Sequence, residues 1–531
     1  MIRPLLYSRV VVSTLVLSLS GFVHPGAALA QDISGGANVL LASADVEAKL
    51  GKGIFSSPQN RVHAPKRLEK KVVTRSQHSS RQTSANNKPV VDGNKPVVDR
   101  PGETRHSAGD STKPLGDAAR RVPAAEDFNK QGDDFFDAGQ YQKAVDAYQT
   151  AVKMRPNYPE AFLNLGEAFF NLSRYDDAVA AEKQAIQQKP DLGAAYRALG
   201  NAYLKLDRMT EAMEALKKAV NLDPKDNDAR ASLSLAYYDQ GVVAYNAARY
   251  PEAIAAYQEA VNLKPDYAEA HNNLGDAYRR LDKFAEAVEA YKQAVRYKPD
   301  SVDAYRDLAW TYEKLGRYPE AAAAYENVIR LQSKDAKANN DDKAEANNNM
   351  GYALGKSKRW AEAIEAFKRA IQLRTEYAEA YSNLGWAYNN VGNFNAAIDP
   401  LRKATQLKPA LPEGHFNIGI TYSRLKQANE ALTSFQEAVK LKPDWPAAQN
   451  NQGYAYGNLG KWKEAIPAHK EAIRLKPDYA GAYFNLGFAY LRSGNKNAAV
   501  DQYKLLQPLN LGLANQLYIF IYNKQPPATR P

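Results

Sequence analysis

The sequence predicts an all-α protein, in which about eleven helix–turn–helix repeats stack into a right-handed superhelix behind a disordered N-terminal tether. Three observations predict this fold: a small residue that recurs mostly every 34 residues, apolar residues at helical spacing around it, and a proline that ends most repeats. The small residues are Gly132, Gly166, Gly200, Gly241, Gly275, Ala309, Gly351, Gly385, Gly419, Gly453 and Gly487.

The first thirty residues have the pattern of a secretory signal peptide. Arg3 and Arg9 accompany an apolar run over residues 10–23, and residues 28–30 (Ala-Leu-Ala) provide a small-residue cleavage site. The run is shorter than the roughly 20 residues that a membrane-spanning helix needs. We therefore expect export to the periplasm or the medium of a bacterium, with a retained, uncleaved anchor as the alternative.

Residues 31–124 are predicted to form a disordered basic linker, because they are rich in Ser, Asn, Pro, Lys and Arg and poor in aromatic residues. They contain 16 Lys and Arg against 9 Asp and Glu, whereas residues 125–531 contain 52 against 50. The excess positive charge therefore lies mainly in the linker, and nucleic acid is not an expected partner of the nearly neutral repeats. A solvated spacer is favoured over a weak contact with an anionic surface.

Residues 159–192 illustrate how one repeat is built. Phe162, Leu165, Gly166 and Phe169 share one face of a first helix, and Pro190 ends the second helix. The glycine allows the two helices to approach closely. A helix pair alone leaves one apolar face bare, so it must stack on the next pair.

Two insertions divide the repeats into blocks. The first adds seven residues within 226–235, and a longer first helix is predicted there because seven residues make nearly two helical turns. The second, residues 333–342, is polar and is predicted to be a flexible loop. Repeats one to three are therefore assigned to residues 125–226, four to six to 227–335 and seven to eleven to 344–511. Residues 512–524 are predicted to form a capping helix.

The repeat closely resembles the tetratricopeptide repeat family over residues 125–511, with Leu, Gly and Tyr in the first helix, Ala and an aromatic residue in the second, and Pro at the end. The resemblance implies a concave groove lined by first helices. It also implies that the position two residues before the small residue faces this groove. Asparagine occupies that position at Asn164, Asn273, Asn349, Asn383, Asn417, Asn451 and Asn485.

The last five of these residues, Asn349 to Asn485, occur in consecutive repeats, and we call them the asparagine ladder. An amide group can pair with a peptide bond of any sequence. Stacked repeats advance by about 10 Å, the length of about three residues of extended peptide. The row resembles the asparagine ladder of O-linked N-acetylglucosamine transferases, but nothing here resembles their catalytic domain. The alternative is that Asn is simply common at this position.

A second row lies one position after the small residue and provides candidate apolar contacts for a partner. Its aromatic members are Tyr352, Trp386, Tyr454 and Phe488. Buried aromatic residues are good binding anchors, but these side chains are equally suited to packing between helices.

Catalysis is not expected, and neither is a metal or a cofactor. The chain has no Cys, which excludes thiol nucleophiles and thiolate metal sites. Residues 351–357 resemble a phosphate-binding loop, but they have three residues between the glycines instead of four and lie on a predicted helix. The sequence therefore predicts an exported scaffold that binds extended protein segments in the groove of residues 344–511. The alternative is an accessory subunit whose outer face recruits an envelope enzyme of polysaccharide or cell-wall machinery.

Overall fold

The computed structural model describes residues 123–524, so the predicted signal peptide and nearly all of the linker lie outside the described residues. Within this range the chain forms twenty-three α-helices and no β-strand. The odd-numbered helices α1 to α21 are the first helices of eleven pairs, and the even-numbered helices are the second. The predicted all-α array of helix pairs is confirmed.

The described residues divide into two compact units, 123–334 and 335–524. The helices of the first unit are α1 (Ala125–Asp137), α2 (Tyr141–Met154), α3 (Pro159–Asn171), α4 (Tyr175–Gln188), α5 (Gly193–Lys205), α6 (Met209–Leu222), α7 (Asn227–Asn246), α8 (Tyr250–Leu263), α9 (Ala268–Arg280), α10 (Phe284–Tyr297), α11 (Val302–Lys314) and α12 (Tyr318–Lys334). Each first helix packs against the second helix of its own pair, which in turn packs against the next first helix.

The second unit repeats this arrangement of stacked pairs. Its helices are α13 (Asn340–Lys356), α14 (Trp360–Leu373), α15 (Ala378–Asn390), α16 (Phe394–Leu407), α17 (Pro412–Arg424), α18 (Ala428–Leu441), α19 (Pro446–Asn458), α20 (Trp462–Leu475), α21 (Ala480–Arg492), α22 (Lys496–Leu506) and α23 (Leu511–Tyr522). The last helix packs on α21 and α22, in the region where the sequence predicts a capping helix.

The small residue of most first helices lies against one buried side chain, sixteen residues later on the second helix. A Cβ atom on Gly351 would stand 2.7 Å from the ring of Phe367, so the close approach of the two helices requires glycine there. We call this second-helix site the ring position. Its occupants are Tyr148, Glu182, Leu216, Tyr257, Tyr291, Tyr325, Phe367, Leu401, Phe435, His469 and Tyr503.

The turn between the two helices of every pair contains a left-handed residue, seven positions after the small residue. Glycine occupies it in five pairs, as at Gly392 with a φ of 78°. The other six pairs have residues with a Cβ atom, including Ala248 with a φ of 58°. A left-handed backbone costs such residues roughly 1–2 kcal/mol, so these turns are held by the packing of the helices on either side.

The first insertion forms the predicted longer helix, because α7 has 20 residues against 13 in α5 and α9. The Asp226 side chain caps it by accepting hydrogen bonds from the backbone N–H groups of Asp228 and Ala229. The seven additional residues therefore extend an existing helix without interrupting the stack.

The prediction of a loop over residues 333–342 is wrong for half of its length, residues 333–334 and 340–342, which are helical. Helix α12 continues to Lys334 and α13 begins at Asn340, which leaves residues 335–339 between them. The Asn339 side chain accepts a hydrogen bond from the N–H of Asp342, and two aspartates lie in the first turn of α13. Both features stabilise a helix N-terminus, so these polar residues start a helix instead of forming a loop.

None of the helices between Ala125 and Tyr522 combines the length and the apolar character that a bilayer-spanning helix requires.

Candidate groove and the asparagine ladder

Most amides of the asparagine ladder bond to the preceding repeat. The Nδ2 atom of Asn383 donates to Asn348 Oδ1 at 2.9 Å, that of Asn417 donates to Ser382 Oγ at 3.3 Å, and that of Asn485 donates to Asn450 Oδ1 at 3.1 Å. Each acceptor lies 35 residues earlier in the sequence. The bonds therefore link consecutive first helices.

The same link occurs in the first unit. Asn164 Nδ2 donates to Asn129 Oδ1 at 3.2 Å and to Asp133 Oδ1 at 3.1 Å. Asn273 Nδ2 donates to the hydroxyl of Tyr238 at 3.0 Å. Asparagine at this position thus stabilises the stacking of repeats in both units.

Several amides of this row are too deeply buried to contact a ligand. Asn383 is 0% exposed and Asn417 is 1% exposed, and Asn349 and Asn273 are also buried. In this conformation a peptide in the groove does not reach these four amides. Asn273, Asn383 and Asn417 are therefore corrected from candidate ligand contacts to side chains of the repeat interfaces. Asn349 is corrected to a buried side chain that accepts a hydrogen bond from Asn348 on the same helix.

Asn164, Asn451 and Asn485 remain partly exposed. Asn451 differs from its neighbours because the residue 35 positions earlier is Phe416, whose side chain has no oxygen to accept a hydrogen bond. Asn451 is therefore the ladder residue whose amide is best suited to hydrogen-bonding with a ligand.

Of the four aromatic residues in the second row, one is buried between helices and three are partly exposed. Trp386 is buried, with its ring 5.1 Å from that of Trp360 in an edge-on contact and 6.0 Å from that of Tyr352. It therefore packs between helices and is corrected from the list of candidate ligand contacts. Tyr352, Tyr454 and Phe488 are partly exposed.

Four partly exposed side chains lie on the neighbouring helices α19 and α21, and we call them the Asn451 patch: Asn451, Tyr454, Asn485 and Phe488. Phe488 is held in place by edge-on contacts of 5.7 Å with Trp462 and 5.1 Å with Phe520. Burial raises the pKa of the Tyr454 hydroxyl, which is hydrogen-bonded to the Asn458 side chain. The patch offers amide groups and a fixed apolar ring.

Sequence reasoning missed a buried polar cluster in the first unit. Arg279 donates to Asp276 Oδ1 at 3.1 Å, the hydroxyl of Tyr291 donates to the same oxygen at 2.6 Å, and Asp307 lies 4.0 Å from Arg279. Burial, together with the neighbouring Asp276, raises the pKa of Asp307 to about 8. One signal was visible in the sequence: an Asp directly after the glycine and a Tyr fifteen residues later.

Within residues 123–524 the chain has no cluster of three or more His, Asp or Glu side chains arranged to hold a metal ion. Many of the polar groups described above are engaged in hydrogen bonds between helices. The fold and its inter-repeat bonds thus define a class, that of tandem helix-pair repeat proteins.

Sequence models of the tetratricopeptide repeat match most of the array. They cover residues 129–193, 200–241, 248–282, 274–336, 342–410, 412–445 and 458–494. The chain belongs to the tetratricopeptide repeat family. This repeat is typically a scaffold for protein–protein interaction without catalytic activity of its own.

The chain is similar to several solved structures at low identity and low TM-score. The APC/C hetero-tetramer Cut9-Hcn1 is 13% identical over 76% of this chain and 97% of that chain, with a TM-score of 0.40. Yeast Tom70 is 15% identical over 75% and 95%, with a TM-score of 0.36. YrrB, described as a TPR protein with an unusual peptide-binding site, is 22% identical over 37% and 96%, with a TM-score of 0.29. No curated protein matches the chain.

Proposed function

We propose that this protein is an exported scaffold that binds an extended segment of a partner protein along the first helices of residues 344–511. The contact is centred on the Asn451 patch. The observation that carries the proposal is the partly exposed amide of Asn451, in a row where other amides bond to the preceding repeat.

The chemistry of the patch suits a peptide of varied sequence. The amide of Asn451 and the side-chain carbonyl oxygen of Asn485, whose Nδ2 atom is bonded to Asn450, lie one repeat apart, about 10 Å, which matches about three residues of an extended chain. Phe488 and the partly exposed ring of Tyr454 provide apolar surface beside them. The backbone of the ligand would pair with the amides, while its side chains would contact the aromatic rings.

The test is selection of unstructured peptides from a displayed library by the full chain, followed by affinity measurements on Asn451→Ala. Loss of a hydrogen-bonding amide from a desolvated contact should weaken binding about tenfold or more, with unchanged stability of α19. Selection of no peptide by the wild-type chain, or equal affinity for Asn451→Ala, would contradict the proposal.

Asn383→Ala is the matched control, because it removes the same side chain from a buried ladder position. It leaves the Asn348 carbonyl oxygen without its donor, so we expect local stability to fall by about 1–3 kcal/mol. Peptide affinity at the Asn451 patch should stay near the wild-type value, since the two sites lie in different repeats.

Export is part of the same proposal and rests on the N-terminal sequence pattern. N-terminal sequencing of the protein from a bacterial envelope fraction should begin at Gln31. A mature chain that begins at Met1 in the cytoplasm would refute export and leave the peptide-binding proposal standing.

A further inference from the structure

Two repeats of the first unit tie their first helix to their second helix through a tyrosine and an aspartate. The Tyr148 hydroxyl donates to Asp133 Oδ1 at 2.8 Å, and the Tyr291 hydroxyl donates to Asp276 Oδ1 at 2.6 Å. In both repeats the tyrosine occupies the ring position, and the aspartate directly follows the glycine. In each of these repeats the hydrogen bond thus links the two helices beside the glycine, where their backbones approach closely.

The second repeat has a glutamate at each of these two places. Glu182 occupies the ring position, is 0% exposed, and has both carboxylate oxygens buried without a hydrogen-bond partner. Glu167 directly follows Gly166 and is partly buried. A carboxyl pair therefore stands where repeats one and five have a hydroxyl donor and a carboxylate acceptor.

Two charged side chains act on Glu182 from the helices packed against α4. Glu167 lies on α3, and Arg197 lies on α5. Arg197 is itself engaged with Asp226 at 3.4 Å and Asp228 at 3.3 Å. Burial is the main cause that raises the pKa of Glu182, Glu167 raises it further, and Arg197 opposes both.

A buried carboxylate without a donor is costly, whereas a protonated carboxyl is neutral and carries an O–H group. This O–H is the same kind of donor that tyrosine supplies in repeats one and five. The proton therefore removes the buried charge and creates the missing link to Glu167.

We propose that Glu182 and Glu167 form a proton-operated latch in the second repeat. When Glu182 holds a proton it donates to the Glu167 carboxylate and closes α4 on α3. When the proton leaves, two carboxylates face each other and the helix pair loosens. The latch makes this one repeat respond to pH in a way that repeats one and five, which have a tyrosine at the ring position, do not.

The direction of the response follows from proton binding. An opened repeat exposes Glu182 to water, where its pKa returns to about 4.3, so opening releases the proton that the closed repeat holds. The opening constant therefore rises with pH, by up to about tenfold per pH unit for one proton. The rise ends at the pH where the closed repeat itself loses the proton.

Hydrogen exchange of the full chain, read by mass spectrometry at pH 5 and pH 8 and corrected for intrinsic exchange rates, tests the latch. We expect protection of α3 and α4 to fall from pH 5 to pH 8. Helix α18, with Phe435 at its ring position, is the internal reference. No fall in α3 and α4 relative to α18 would overturn the proposal.

Variants separate the latch from other causes. Glu182→Gln supplies a donor at every pH, and Glu182→Leu removes the carboxyl as Leu216 does in the third repeat, so both should abolish the pH response. Persistence of the response in either variant would refute the role of Glu182. Tyr148→Glu places a carboxyl group beside Asp133 in the first repeat and should transfer the response to α1 and α2.

Glu167→Ala tests the acceptor. If the carboxyl pair is a latch, this variant should lose protection of α3 and α4 at pH 5, where the bond is closed, and change little at pH 8. Equal protection of Glu167→Ala and the wild-type chain at pH 5 would show that Glu182 is a buried carboxyl without a latch partner.

Discussion

Replacing His469 with phenylalanine should remove an acid sensitivity from the tenth repeat. His469 occupies the ring position of α20 and is 2% exposed. Its Nδ1 atom lies 2.9 Å from Asn450 Oδ1, which also accepts a hydrogen bond from Asn485. The oxygen can only accept, so the proton of the neutral imidazole is on Nδ1.

The magnitude follows from the difference between the folded and unfolded states. Burial lowers the pKa of His469 to about 3, whereas an exposed histidine titrates near 6.5. The unfolded repeat therefore binds a proton that the folded repeat does not, and stability is lost as pH falls below about 6.5. At pH 5 the loss is about 2 kcal/mol, and it is insensitive to the folded pKa provided that this lies below about 4.

Local unfolding is the appropriate measurement, because repeat arrays unfold in segments and not in one step. Exchange protection of α19 and α20 in the full chain should fall by about 2 kcal/mol between pH 7 and pH 5, after correction for intrinsic rates. His469→Phe should show no such fall, since Phe367 and Phe435 fill the ring position of two other repeats in this unit. A wild-type chain without the fall, or a variant that retains it, would refute the reasoning.

Three further substitutions test the turns, the close contacts and the caps by the exchange protection of the repeat concerned. Ala248→Gly should stabilise its repeat by about 1 kcal/mol, because glycine adopts the left-handed turn without the Cβ penalty; no gain would mean that the turn is unstrained. Gly351→Ala should destabilise by about 1–3 kcal/mol through overpacking against Phe367, and a neutral result would show that the ring moves freely. Asp226→Ala should cost about 1 kcal/mol by uncapping α7, whereas Asp226→Asn should recover most of that loss.

The sequence predicted the helix pairs well, because a 34-residue period with one small residue per pair leaves few alternative folds. Glycine opposite a buried side chain at the ring position is required by distance, and this requirement recurs in nine of the eleven repeats. The loop prediction at residues 333–342 was wrong for a local reason. Polarity alone suggested a loop, while Asn339 followed by two aspartates is also the pattern of a helix N-terminus.

The ladder shows what a period alone cannot predict. Recurrence located the asparagines correctly, but the role of each amide depends on a residue 35 positions earlier, on the neighbouring first helix. That offset is set by how the pairs stack, so it becomes visible only in three dimensions. The burial of Asn383 and Asn417 follows from it.

Once known, the offset can be applied to the sequence alone. An asparagine preceded 35 residues earlier by Asn, Ser or Tyr is a stacking residue, as at Asn383, Asn417 and Asn273. Asn451 is preceded by Phe416 and lacks such an acceptor. Asn451 is therefore the ladder residue best placed to bind a partner. The difference in peptide affinity between Asn451→Ala and Asn383→Ala tests whether this rule distinguishes binding residues from stacking residues.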